Sequence, residues 1–308
     1  MPSMINFFKL IRWQNLVLIL LIQVLIKYVL FNTIDALSLA LSDFNFGLLV
    51  LATVCIAAAG NIINDIYDLE TDQINKPDRV IIDKHISEKT AFNWYVILTI
   101  IAVGIGFYLA NQVQKTGFAV IFIGISALLY MYATHLKQAT IIGNLVIAGL
   151  VSMVILVVGL FDLLPVITAE NQLLQLGFFK ILMDYAIFAL MINLCREILK
   201  DIEDIDGDHA LEMRTLPIVI GRLRATKVVF ALSILLQFLI VYYIISEIYE
   251  YYIAVVYFLL CIVAPLLVFS IKIFTAETKK EFQHLSNLLK FVMLFGVLSI
   301  LLYPFILN

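Results

Sequence analysis

The chain has 308 residues, of which 63% are hydrophobic and only 14% charged, with a mean hydropathy of +1.04. Soluble domains run near 45–50% apolar and about 25% charged, so an ordinary soluble enzyme and a disordered chain are excluded. The net charge of −3 leaves no basic footprint for nucleic acid, and three cysteines inside apolar runs exclude a disulfide framework or a cysteine-rich zinc site.

In chain order, nine apolar stretches are long enough to span a bilayer as helices: 14–32, 46–64, 92–110, 118–135, 142–161, 178–199, 226–246, 252–273 and 288–307. Continuous apolar runs rather than alternation exclude a β-barrel. The sequence therefore predicts an all-α, polytopic membrane protein, a single domain over 1–308 in contact with membrane lipids. The start of the chain does not read as a cleavable signal, because the run after Lys9 and Arg12 is too long and too polar, and no small-residue cleavage site follows. The segment 275–290, with Glu277, Lys279, Lys280, Glu281 and Lys290, reads as a solvated connector.

Basic residues orient the spans. Lys9, Arg12 and the residues of alternate connections account for 17 of the 20 lysines and arginines. The opposite loops 33–45, 162–177 and 247–251 carry Asp35, Asp43, Asp162, Glu170, Glu247 and Glu250 but no lysine or arginine. The positive-inside rule then puts the N-terminus in the cytoplasm of a bacterial or archaeal cell.

Acidic residues are concentrated too. Of 23, seven lie in 65–88 and seven in 197–212, each window following an apolar span on the predicted cytoplasmic face, in motif loops of about 64–91 and 196–225. In the first, Asn64, Asp68 and Asp72 are four apart and stack on one helical face, with Lys76, Pro77 and Arg79 behind them. In the second, Glu197, Asp201, Asp204 and Asp208 share a face, interleaved with Arg196 and Lys200 and followed by Arg214; Gly207 is expected to loosen the helix. A single acidic stripe is usually a solvated face. Two, each beside basic residues, suit hard oxygen coordination of Mg²⁺, which takes one or two carboxylates plus phosphate oxygens. Two divalent cations bridging a diphosphate, beside an apolar bundle for a lipid tail, match ionisation of an allylic prenyl diphosphate.

At these residues the sequence resembles the UbiA-type intramembrane prenyltransferase superfamily. Its N-D-x-x-D-x-x-x-D signature is present as Asn64-Asp65-Ile66-Tyr67-Asp68-Leu69-Glu70-Thr71-Asp72, and its D-x-x-x-D signature as Asp204-Ile205-Asp206-Gly207-Asp208. The resemblance covers essentially the whole chain. It implies a nine-helix bundle and Mg²⁺-dependent transfer of a polyprenyl group from its diphosphate to an acceptor. By carry-over Asn64, Asp68 and Asp72 hold one metal, Asp204 and Asp208 a second, and Asp201 is an extra acid. Arg79, Lys137 and Arg214 match positions facing the diphosphate, and Lys76 and Lys200 join them in neutralising the leaving group. Near Lys137 the match is partial, because Gln138 stands where a second base is usual.

The runs Arg12-Trp13-Gln14-Asn15, Asp72 to Arg79 and Arg196 to Asp208 resemble the branch whose members prenylate geranylgeranylglycerol phosphate. A geranylgeranyl donor and that acceptor are thus the expected partners, with Asn15 and Arg12 as candidate acceptor contacts. An aromatic acceptor of the quinone pathways is the alternative within the superfamily. A secondary transporter is the alternative outside it, although its acids would sit mid-span rather than at helix ends. Tyr67, Tyr130 and Tyr132 could shield an allylic cation, but tyrosines here are more often packing or interfacial anchors. His85, His135, His209 and His284 show no zinc spacing and read as surface residues.

Overall fold

The computed structural model describes residues 4–307, apart from the side chain of Arg79. Its helices are α1 (Met4–Leu10), α2 (Trp13–Leu25), α3 (Asp43–Tyr67), α4 (Leu69–Asn75), α5 (Glu88–Gln112), α6 (Ala119–Thr134), α7 (Ile142–Asp162), α8 (Gln172–Glu203), α9 (Ile205–Ala210), α10 (Leu216–Ile220), α11 (Arg222–Tyr243), α12 (Tyr252–Phe258), α13 (Ala264–Thr275), α14 (Lys279–Leu298) and α15 (Tyr303–Ile306). Two short strands, β1 (Ala139–Thr140) and β2 (Arg214–Thr215), pair in parallel, Ala139 opposite Arg214 and Thr140 opposite Thr215.

Among the described residues nine helices are long and apolar enough to cross a membrane, from Trp13–Thr33 to Lys279–Ile306, one for each predicted stretch. Their ends run past the apolar cores because polar residues supply the caps. Ser42 accepts from the Asn45 N–H to start α3, and Ser87 from the Thr90 N–H to start α5. The largest departure is at 275–290. Thr278 and Glu281 form a capping box, and α14 begins at Lys279 with Phe282, Leu285 and Leu289 buried. The predicted connector is therefore mostly the amphipathic first turns of the ninth span, whose charged outer face lowers the local hydropathy. A π-turn at Leu259–Val263 joins α12 to α13 just ahead of Pro265, which cannot donate to the helix ladder.

The chain forms two compact units. One comprises Met1–Gln23, Leu37–Gln138 and Val154–Leu182. Here α3 packs along α5 and α6 through small residues, Ala52, Ala58, Ala59 and Gly60, which let helices approach in the absence of a hydrophobic drive between them. Gly106 on α5 lies so close to buried Phe122 that an added Cβ would stand 2.4 Å from its ring. Polar side chains pin this unit where water is absent. Gln23 Nε2 donates to Thr53 Oγ1 at 3.2 Å and to the Val154 carbonyl at 3.0 Å. Asp162, taken from sequence as a loop acid, is fully buried and accepts the Leu41 N–H at 2.8 Å.

The other unit comprises Val24–Ala36, Ala139–Met153 and Met183–Asn308. Its core joins α8, α11, α13 and α14 through residues such as Ile198, Leu236, Phe269 and Leu289. Several of its buried hydroxyls satisfy one another, as polar groups away from water require. Tyr185 meets Ser299 at 2.6 Å, Tyr243 meets Tyr303 at 2.6 Å, and Ser233 and Gln237 both bond Ser270 at 2.7 Å.

Candidate active site

Both acidic motifs are built the same way. α3 ends at Tyr67, and Asp68 breaks the helix with φ −92° and ψ 0° before α4 begins. α8 ends at Glu203, and Asp204 breaks the helix with φ −99° and ψ 10° before α9 begins. The chain keeps its i→i−4 bonding through each break. Asp68 N–H donates to the Asn64 carbonyl and Asp72 N–H to the Asp68 carbonyl, both at 2.8 Å; Asp204 donates to Lys200 at 2.8 Å and Asp208 to Asp204 at 3.2 Å. The uninterrupted stripe inferred from i, i+4 spacing is thus a long helix, a single bent residue and a short helix. Gly207 is not the point of loosening; it is buried inside α9, and the bend falls at Asp204.

In the first motif, Asn64 Nδ2 donates to Asp68 Oδ2 at 2.5 Å, and Lys137 Nζ donates to Asp68 Oδ1 and, at 3.1 Å, to the Tyr67 carbonyl. The amide is thereby oriented, and its Oδ1 is buried with no hydrogen-bond partner among the described residues. An orphaned amide oxygen next to the Asp68 carboxylate offers hard oxygen donors of the kind Mg²⁺ takes. Asp72 lies on the first turn of α4, and its carbonyl accepts the Lys76 N–H at 2.8 Å. Lys76 is half-buried there. Arg79 lies on the one-turn helix Pro77–Arg79 behind α4; its side chain lies outside the described residues.

Two further contacts were not visible in the sequence. Arg12 Nη2 donates to Asp65 Oδ1 at 2.6 Å, and Asn61 Nδ2 donates to the Ile11 carbonyl at 2.9 Å. Desolvation opposes the Arg12 charge, but the fields of Asp65, then Asp68 and Asp72, outweigh it and raise the guanidinium above its ordinary pKa. Asn15 is exposed on the first turn of α2, its N–H donating to the Arg12 carbonyl at 2.8 Å. Tyr67 and Tyr130 meet through their hydroxyls at 3.4 Å, and Tyr95 stacks on Tyr130 with centroids 6.4 Å apart. Tyr67 and Tyr130 are exposed, as membrane-interface tyrosines are.

In the second motif, Asp208 is buried and its carbonyl accepts the Met213 N–H at 2.9 Å, which leads the chain into β2 and exposed Arg214. Asp201 Oδ2 accepts from Asn144 Nδ2 at 2.8 Å, Lys200 Nζ pairs with Glu197 at 2.6 Å, and Gln283 donates to Glu203 at 2.9 Å. The helix end that presents Asp204 is therefore tied to α7 and to α14. Asn144 and Gln283 carry no motif signal and were missed by sequence reading. All four histidines are exposed.

Nine membrane-length apolar helices among the described residues, with an aspartate at each of two helix breaks, define a polytopic helical membrane protein. The chain belongs to the UbiA prenyltransferase family, whose model matches residues 29–294, and it is a membrane prenyltransferase. It is 34% identical over 258 residues to a digeranylgeranylglyceryl phosphate synthase of Methanosphaera stadtmanae, covering 82% of this chain and 86% of that protein. It is 31% identical over 222 residues to a protein of the same name from Pyrococcus abyssi, covering 72% and 71%. The fold matches a solved digeranylgeranylglyceryl phosphate synthase with TM-score 0.66 at 22% identity over 99% of each chain. It also matches a UbiA homologue from Archaeoglobus fulgidus bound to DMAPP and Mg²⁺, with TM-score 0.58 at 16% identity over 96% of this chain and 99% of that one.

Proposed function

We propose that this protein transfers a geranylgeranyl group from its diphosphate to geranylgeranylglycerol phosphate, releasing diphosphate. The observation that carries the reading is the 34% identity, over 82% of the chain, to the Methanosphaera stadtmanae synthase. Both acidic motifs supply the donors the chemistry needs. On this reading the whole chain acts as one catalytic domain with its motifs on the cytoplasmic side, a placement supported by the clustering of lysine and arginine on alternate connections.

Asn64, Asp68 and Asp72 would hold one Mg²⁺, and Asp204 and Asp208 a second, while Asp201 is bonded by Asn144. When bound, Mg²⁺ supplies Lewis-acid stabilisation of the departing diphosphate. Lys137 stands against Asp68 and neutralises leaving-group oxygens. Lys76, Arg79, Lys200 and Arg214 would add positive charge for the diphosphate, the arginines as bidentate forks. The C1–O bond of the donor breaks, its electron pair leaves with the diphosphate, and the acceptor hydroxyl oxygen bonds C1 while its proton passes to the released diphosphate. Asn15, exposed on the first turn of α2, would orient that hydroxyl.

Membranes containing the protein, fed labelled geranylgeranyl diphosphate with glycerol-phosphate and aromatic acceptors in competition, test this directly. Mass spectrometry should find the diether phosphate as the labelled product, formed only with Mg²⁺. Label in the aromatic acceptor instead would overturn the acceptor assignment.

A further inference from the structure

Arg12 occupies the joint between α1 and α2 with φ 53°, a left-handed backbone that a long side chain rarely adopts. Such a conformation persists only where its surroundings hold it. Asn61 and Asp65, one turn apart on α3, hold it from the same face. The first takes the Ile11 carbonyl at 2.9 Å and the second the Arg12 guanidinium at 2.6 Å. Leu10, Ile11 and Leu16 pack beneath with Ala58 and Ile62, so the joint is fixed to the helix that delivers the first motif.

Asp65 follows Asn64 and stands three residues before Asp68, where helix side chains are neighbours about 5–6 Å apart. Its carboxylate lies within the field of Asp68. We infer that Arg12 is a positioning residue: by pairing with Asp65 it offsets that carboxylate's charge and keeps the net charge beside the metal donors at that of two carboxylates. This inference rests on the metal-binding reading of the first motif given above. Two carboxylates balance one divalent ion and leave coordination sites for phosphate oxygens. A third would bind the ion more tightly in the absence of diphosphate and leave it less able to polarise the leaving group. In this reading Arg12 acts on metal affinity and does not touch the acceptor.

The test uses the full-length protein in detergent, with Mn²⁺ as an EPR-visible probe and no prenyl diphosphate. Arg12→Gln should tighten Mn²⁺ binding roughly three- to tenfold, because the positive charge that offsets Asp65 is lost. Asp65→Asn should weaken it by a similar factor, because Arg12 then faces Asp68 and Asp72 unopposed. The double variant should return to within about twofold of wild type, the coupling expected of a contacting pair. Arg12→Lys, which keeps the charge, should stay near wild type, and it serves if Arg12→Gln does not fold. A role confined to holding the fold would lower melting temperature in every variant without opposite signs in Mn²⁺ affinity. Equal or like-signed shifts would therefore overturn the inference, as would an effect confined to the KM of the glycerol-phosphate acceptor. Asp68→Asn separates the two levels. If the tight Mn²⁺ survives that change, the metal reading of the motif fails; if it is lost while Arg12→Gln and Asp65→Asn do not diverge, only the role of Arg12 fails.

Discussion

Lys137→Met puts the electrostatics of the first motif to a quantitative test. The Lys137 side chain is 9% exposed and that of Asp68 22%, so their ion pair lies between two regimes. Exposed pairs contribute about 0–1 kcal/mol, and breaking a fully buried one costs about 3–5 kcal/mol. Partial screening puts the loss near 2 kcal/mol. Methionine keeps the apolar stem packed, so little of that loss comes from a cavity. The Tyr67 carbonyl, which also accepts from Lys137, is left to solvent. Thermal unfolding in detergent should drop by a few degrees, given about 2–4 °C per kcal/mol for chains of 150–250 residues. The decisive assay is the cycle with Asp68→Asn. Once Lys137 is gone, removing the Asp68 charge should cost about 1–2 kcal/mol less than it does in wild type. The KM for the prenyl diphosphate should also rise in Lys137→Met, with acceptor KM unchanged. Strictly additive losses, or a KM effect on the acceptor alone, would refute the assignment of Lys137 to Asp68 and the diphosphate.

The remaining predictions are briefer. Asp204→Ala and Asp208→Ala should each abolish Mg²⁺-dependent transfer while the protein still inserts in membranes, measured by product formation against immunodetected protein. Gly106→Ala should destabilise by about 1–3 kcal/mol, because its Cβ would meet the buried Phe122 ring at 2.4 Å; a melting temperature equal to wild type would contradict that packing. Thr278→Ala should cost about 1 kcal/mol through loss of the α14 capping box, with kcat unchanged in the same preparation.

What could be read from the sequence follows the range of the interaction. The nine spans were legible because burial in lipid demands runs of about 20 apolar residues. The acids were legible because i, i+4 spacing repeats in both windows. The bends at Asp68 and Asp204 were not, since that spacing suits a continuous helix equally well. The pairing of Arg12 with Asp65, 53 residues away, and of Lys137 with Asp68, 69 residues away, leaves no trace in local pattern. Asp162 shows the reverse error. It was counted as a loop acid because it follows an apolar run, yet it serves as a buried acceptor for the Leu41 N–H. The start of α14 was legible after all, as Thr278 three residues before Glu281, but the charged face masked it.

The paired bends also explain why aspartate stands at each of them. Asp68 and Asp204 are the N-cap residues of α4 and α9, a position where aspartate usually bonds a free N–H of the first turn. Neither does so. A helix forgoes about 1 kcal/mol when its N-cap side chain does not bond. Both carboxylates also sit at the C-terminal ends of long helices, α3 and α8, where the macrodipole is negative and an acid is unfavourable. Local stability would be served by asparagine or serine bonding inward. An acid turned away from its capping duty is one that a bound cation would balance. Lys137 does so in part at Asp68, and a divalent ion shared with a diphosphate would complete it. The sequence thus departs from helix-end rules at the same residue of both motifs, and the departure is where the chemistry is proposed to occur.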